Sequence, residues 1–289
     1  DILYGGDGSD YLDGGQGSDL LFGGSGDDTM IWSAGNDILG GNEGNDTLVV
    51  RNGVSGNGQM KWERNFTNFG NDKVVFEGAM AEDSSLLLNF ADEIRFQDMK
   101  WSVNGDDIVM TDNLGNASAS VTFENAFNAF GANSGKVDFQ FTNGKLYVDD
   151  VKYSVQAGQG TVTAAADSSY KGSILVGSDQ DDTLVSGKGD DLMFGGKGKN
   201  TFVFDNTFGN DQIVGSNGQD TVQFNNAFDA AEYTLAANNK DLVISYQQKG
   251  LSTANTLTLA NWYDGSDHAS TFAFSNGSYQ VQGSSFIKK

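Results

Sequence analysis

From Gly5 to Val49 the chain repeats every nine residues without slipping phase: GGDGSDYLD, GGQGSDLLF, GGSGDDTMI, WSAGNDILG and GNEGNDTLV. A large apolar residue stands at position eight of each block: Leu12, Leu21, Met30, Leu39 and Leu48. The six residues before positions seven to nine are small or polar apart from Trp32, with glycine at position four (Gly8, Gly17, Gly26, Gly35, Gly44). Glycine there permits positive-φ turns that other residues resist. Positions seven to nine then predict a short strand whose middle side chain faces inward. A second array starts at Gly177 as GSDQDDTLV, SGKGDDLMF and GGKGKNTFV, and resumes after Phe204-Asp205 as NTFGNDQIV and GSNGQDTVQ. Extended backwards, the first frame puts Asp1 at position six. The chain is therefore expected to be a piece of a longer protein.

Position six carries the candidate chemistry. It is Asp1, Asp10, Asp19, Asp28, Asp37 and Asp46 in the first array, and Asp182, Asp191, Asn200, Asp211 and Asp220 in the second. If two nonapeptides make one coil of a flattened helix, Asp10, Asp28 and Asp46 stack on one side. Asp1, Asp19 and Asp37 then stack on the other. Coils about 4.8 Å apart would set these charges repelling by roughly 3–4 kcal/mol per neighbour at an effective dielectric near 20. One apolar side chain per repeat is a thin core to oppose that. A divalent cation between loops removes the repulsion, and hard oxygen ligands without cysteine or histidine select Ca²⁺ over zinc or copper. Several ions are expected, with folding linked to them.

Composition agrees. Over 289 residues, 39 acidic side chains against 17 basic ones give a net charge of −22. That excludes the basic face a nucleic-acid binder needs and disfavours anionic membrane surfaces. No apolar run approaches the roughly 20 residues of a membrane span. Cysteine and proline are absent, yet 20 Phe, 9 Tyr and 4 Trp argue for a folded chain. A catalytic constellation is missing. His268 is the only histidine, which excludes a two-histidine zinc helix, and no G-x-S-x-G occurs. His268 is expected to be structural, and adjacent acids such as Asp106/Asp107 and Asp149/Asp150 to be solvated turns or calcium ligands. The segment is read as not an enzyme.

Residues 55–170 and 225–289 lack the period and read as short alternating strands with Asn-Gly and Asp-Gly-like turns. They resemble each other. Asp92-Glu-Ile-Arg-Phe matches Asp220-Thr-Val-Gln-Phe, and Asp107-Ile-Val-Met matches Asp241-Leu-Val-Ile. Val121-Thr-Phe-Glu-Asn-Ala-Phe matches Leu257-Thr-Leu-Ala-Asn-Trp-Tyr, and Lys136-Val-Asp-Phe-Gln-Phe matches Ala269-Ser-Thr-Phe-Ala-Phe. The chain is thus a duplicated unit, each copy a coil stack followed by a cap that covers its apolar end. Four regions are expected: 1–54, 55–170, 171–224 and 225–289. Phe69-Gly-Asn-Asp72 is an isolated half-repeat like Phe208-Gly-Asn-Asp211, so Asp72 reads either as an extra ion site or as a plain turn.

GGDGSDYLD and GGQGSDLLF resemble the repeats-in-toxin (RTX, haemolysin-type) nonapeptide, a Ca²⁺-binding repeat. The resemblance implies an all-β protein of two calcium-bound parallel β-rolls, right-handed, each followed by a β-sandwich-like cap. By position, ions would lie at Asp10/Asp28, Asp28/Asp46 and Asp19/Asp37, and at Asp182/Asn200, Asp191/Asp211 and Asn200/Asp220. It also implies export unfolded by the type I secretion machinery and folding on extracellular calcium, although the end Gly283-Ser-Ser-Phe-Ile-Lys-Lys289 departs from the family's terminal pattern. The expected role is structural or adhesive, in a secreted or cell-surface protein such as a surface-layer protein or adhesin. Self-association or a cell-surface glycan would supply the partner. The alternative is the export and folding region of a toxin, protease or lipase.

Overall fold

The computed structural model describes the chain apart from residues 63–69, 91–93, 97–98, 113–118, 133–134, 142–150, 206, 226–229, 248–253, 265–267 and 270. It is an all-β protein built as two compact units, Asp1–Val155 and Gln156–Lys289.

In the first unit each coil gives one strand to each of two sheets. Ile2–Asp7, Leu20–Ser25 and Ile38–Glu43 pair in parallel on one side. Tyr11–Asp13, Thr29–Trp32 and Thr47–Val50 do so on the other. The registers Ile2↔Leu20 and Tyr11↔Thr29 are offset by 20 − 2 = 18 and 29 − 11 = 18 residues, so two nonapeptides make one coil. The position-eight residues Leu12, Leu21, Met30, Leu39 and Leu48 are all buried between the sheets.

The parallel ladder continues where the sequence period ends. Asn57–Lys61 and Ser85–Phe90 extend the first sheet, and Asn71–Phe76 extends the second. The offsets grow to 59 − 38 = 21, 73 − 47 = 26 and 85 − 57 = 28 residues. A coil requires only a short strand with an inward face on each side, here Met60, Val74, Leu86 and Leu88. Loop length is free, so stacking persists after the period has gone.

The second unit repeats the plan. Gly172–Ser178, Leu192–Gly196 and Asn210–Val214 form one parallel set. Thr161–Thr163, Thr183–Val185, Thr201–Phe204 and Thr221–Phe224 form the other. The Leu192↔Gln212 offset of 212 − 192 = 20 reflects the Phe204-Asp205 insertion, of which Phe204 lengthens the strand Thr201–Phe204.

The caps are topological equivalents. Ser120–Phe123 joins the first stack in parallel, pairing Val121 with Asp72, and Asn255–Leu259 joins the second, pairing Leu257 with Asp211. Each is followed outward by an antiparallel strand, Asp107–Asp112 or Asp241–Tyr246, and then by Met99–Asn104 or Tyr233–Asn238. On the other sheet Lys136–Phe141 and Thr271–Phe274 occupy matching places. One sequence match is not reproduced. The counterpart of Thr221–Phe224 in the first unit is Ser85–Phe90, because that strand pairs with Lys136–Phe141. Ile94–Phe96 lies outside the strands, and residues 91–93 lie outside those described. Leu86, Leu88 and Phe90 supply the inward face there without the repeat's glycines.

Candidate metal centre

Each first-array loop is shaped by glycine at two places. At position four, Gly8, Gly17, Gly26, Gly35 and Gly44 all hold φ between +116° and +134°. At position one, glycine in four of the five repeats and Trp32 in the fourth, the four glycines leave no room for a side chain. A Cβ on Gly5 would lie 2.6 Å from Asp10 Oδ2 and 2.5 Å from the Gly23 carbonyl oxygen. Gly14, Gly23 and Gly41 would collide likewise with Asp19, Asp28 and Asp46. The loop thus brings a carboxylate oxygen and, at Gly5 and Gly23, a carbonyl oxygen of the next same-side loop to one spot.

The position-six carboxylates then form two ladders. The amides of Asp10, Asp28 and Asp46 donate to Oδ1 of Asp28, Asp46 and Asp72 at 2.8, 2.9 and 2.8 Å. On the other side the Asp19 amide donates to Asp37 Oδ1 at 3.0 Å. In the second unit Asp182 donates to Asn200, Asn200 to Asp220 and Asp191 to Asp211. Every same-side pair expected from position is therefore a pair of neighbours. Asp1 is exposed and joins only through its amino group, which reaches Asp19 Oδ1. Asp72, the isolated half-repeat, is a full member of the first ladder.

The other carboxylate oxygen divides the molecule. Asp10, Asp19, Asp28, Asp37 and Asp46 each bury Oδ2 with no hydrogen-bond partner. A buried, unpaired carboxylate oxygen is costly, and five of them in register fit a cation. In the second array the same oxygen is held by the protein. Asp182 Oδ2 accepts from the amide and hydroxyl of Ser178 (2.6 and 2.8 Å), Asp191 Oδ2 from the Gly187 amide (2.8 Å), and Asp220 Oδ2 from the Asn217 amide (2.7 Å). Asn200 donates its own Nδ2–H to the Lys197 carbonyl at 3.2 Å. Asp211 Oδ2 is buried beside the Ser186 hydroxyl. At the end of the first ladder the Trp62 indole N–H donates to Asp72 Oδ2 at 2.8 Å.

Burial pushes these acids towards neutrality. Asp28, Asp37 and Asp191 are raised, Asp46 and Asp220 reach about 6, Asp72 about 8 and Asp211 about 9. Desolvation is the first cause in every case. The neighbouring carboxylate on the same side adds to it at Asp28, Asp37, Asp46, Asp72 and Asp211, while the backbone N–H bonds oppose it. A divalent cation would reverse the sign of that environment.

The donor set is entirely oxygen. Among the described residues no three His, Cys, Asp or Glu side chains gather at one point. Each candidate site is instead one or two carboxylates with carbonyls from facing loops, which suits calcium's preference for mixed oxygen ligands. The N–H donors of the second array escaped the sequence reading. GSDQDD lacks glycine at positions two and four, which signals a different turn, but nothing marks Gly187, whose φ is ordinary despite its glycine. His268 stacks on Trp262 with centroids 3.9 Å apart, inside the cap. No helix among the described residues is long and apolar enough to cross a membrane.

A family model described as the RTX calcium-binding nonapeptide repeat matches four stretches, residues 1–30, 33–53, 173–202 and 207–225. No curated protein sequence matches the chain. Among solved structures, the extracellular lipase LipA from Serratia marcescens is similar, with 16% identity and a TM-score of 0.21 over 87% of this chain. The chain spans 40% of that lipase's length.

Proposed function

Since both arrays are RTX calcium-binding nonapeptide repeats, we propose that this chain is the non-catalytic, calcium-folded region of a secreted or cell-surface protein. Its role in that protein is structural or adhesive. The five buried, unpartnered Oδ2 atoms of the first array carry this reading. Asp10, Asp19, Asp28, Asp37 and Asp46 would hold ions together with facing carbonyls, Asp182, Asp191, Asn200, Asp211 and Asp220 would contribute in the second array, and Asp1 would stand at the margin. Calcium supplies charge neutralisation and oxygen coordination. The chain's residues supply the frame, since glycine turns aim the carboxylates and the aspartate amides hold Oδ1.

Extracellular calcium sites work at about 10⁻⁴–10⁻³ M. Such sites stay empty in the cytosol and fill outside, which suits passage of an unfolded chain through the type I secretion machinery. Two coil stacks with caps favour a surface-structural role, with self-association or a cell-surface glycan as its partner. Circular dichroism tests the premise. Chelator should remove much of the β signal, millimolar Ca²⁺ should restore it cooperatively, and Mg²⁺ should not, because it demands tighter octahedral geometry. A spectrum indifferent to calcium would overturn the proposal.

A further inference from the structure

The two arrays share a repeat but not a solution to their buried carboxylates. Resting on the calcium reading above, we infer that the calcium requirement is concentrated in the first array, and that the second is largely locked by its own N–H groups. In the first array every Oδ2 from Asp10 to Asp46 is unpartnered. In the second, Asp182, Asp191 and Asp220 each receive an N–H from their own loop at 2.6–2.8 Å. An N–H presents positive charge where an ion would otherwise be needed.

Backbone conformation explains the difference. Gly6, Gly15, Gly24 and Asn42, at position two of four of the five repeats, hold positive φ, as does every position-four glycine of that array. Ser33, at position two of the fourth, has ordinary φ, and its amide lies beside the Asp37 carboxylate. Ser178 and Gly187, at position two of theirs, have ordinary φ, and their amides turn onto the carboxylate of the same loop. The loop Gly195–Asn200 keeps the first array's conformation, with Gly196 at +80° and Gly198 at +84°. That loop carries Asn200, which has an N–H in place of the second carboxylate oxygen. In the loops of Asp182, Asp191, Asn200 and Asp220 a hydrogen thus replaces the need for a cation. The end of the first ladder follows the same rule, because the Trp62 indole serves Asp72. Asp211, with only the Ser186 hydroxyl beside its Oδ2, is the calcium-demanding position of the second array.

Hydrogen exchange of the full chain, read by mass spectrometry with and without Ca²⁺, tests this. In chelator, amides of 173–225 should stay protected while those of 1–53 exchange freely, and Ca²⁺ should slow the latter by about a hundredfold or more. If both arrays exchange alike in chelator and both recover with Ca²⁺, the division is overturned while the calcium reading survives. If both stay protected in chelator, or calcium changes neither and none is bound in equilibrium dialysis, the calcium reading itself falls. Asn200→Asp gives an independent check, since it places a carboxylate in a loop of first-array geometry. It should add about one bound ion per chain, and an unchanged stoichiometry would overturn the inference.

Discussion

The first and second arrays differ less in sequence than in where each aspartate's second oxygen ends. In residues 1–53 that oxygen is buried and empty-handed; in residues 173–225 it mostly meets an N–H. The lesson is that one nonapeptide pattern admits two turn geometries, and that turn geometry and the residue at position six together set whether the second oxygen meets an N–H.

The sharpest way to break this comparison is through glycine. Gly26→Ala places a methyl against the Gly8 carbonyl at φ +123° and should cost about 3 kcal/mol or more in calcium-saturated melting. Gly187→Ala has ordinary φ and its closest contact is the Ala164 methyl at 3.2 Å, so it should cost about 1 kcal/mol or less. Equal losses would mean that the two loops do not differ in conformation.

Asp28→Ala comes next. It removes a carboxylate with an unpartnered oxygen, and should lower bound calcium and destabilise by about 2–3 kcal/mol. Asp191→Ala should lower bound calcium by less than Asp28→Ala does in dialysis, because its Oδ2 is already held by Gly187. Trp62→Phe should cost about 1–3 kcal/mol by stranding Asp72 Oδ2. It should also make the first unit more calcium-dependent, which a chelator titration followed by fluorescence would read.

Protons offer a subtler comparison. Unfolded aspartate titrates near 3.9, whereas Asp72 sits at about 8 and Asp211 at about 9 in the fold. Between those limits the native chain binds protons that the unfolded chain has lost. The contribution of these groups to stability in chelator should therefore be complete below about pH 4 and fall as pH rises towards 8–9, by up to about 1.4 kcal/mol per unit for each group. With calcium the trend should reverse around pH 6, because ions and protons compete for Asp46. Melting temperatures from pH 5 to 8, flat in chelator, would contradict these environments. The smallest effect belongs to Asp13→Ala. Its exposed bond to Arg51, at 3.1 Å, is worth about 0–1 kcal/mol, and calcium binding should not change.

Much of this was legible from residues alone. Unbroken phase from Gly5 to Val49 fixes both the inward Leu/Met column and the stacking of alternate aspartates, because strand register leaves no freedom once glycine sets the turns. The matched segments around Asp107 and Asp241 foretold equivalent caps. The continuation of the stack through Met60, Val74 and Leu88 was not legible, since a coil constrains its strands and not its loop length. Nor were the donors Trp62, Ser178, Gly187 and Asn217. Ser178, Gly187 and Asn217 act through the direction of a backbone N–H, which torsion sets and residue type does not, and Trp62 through an indole whose partner depends on the loop's path.

The aspartate ladders also have a direction. The amides of Asp10, Asp19, Asp28 and Asp46 donate forward, to the carboxylate one coil nearer the C-terminus. An arriving coil can therefore dock its amides only onto a successor already in place, as a zipper closes from one end. Trimming the chain from the front should leave every remaining ladder bond intact, whereas trimming from the back should leave the amides of the last remaining coil without acceptors.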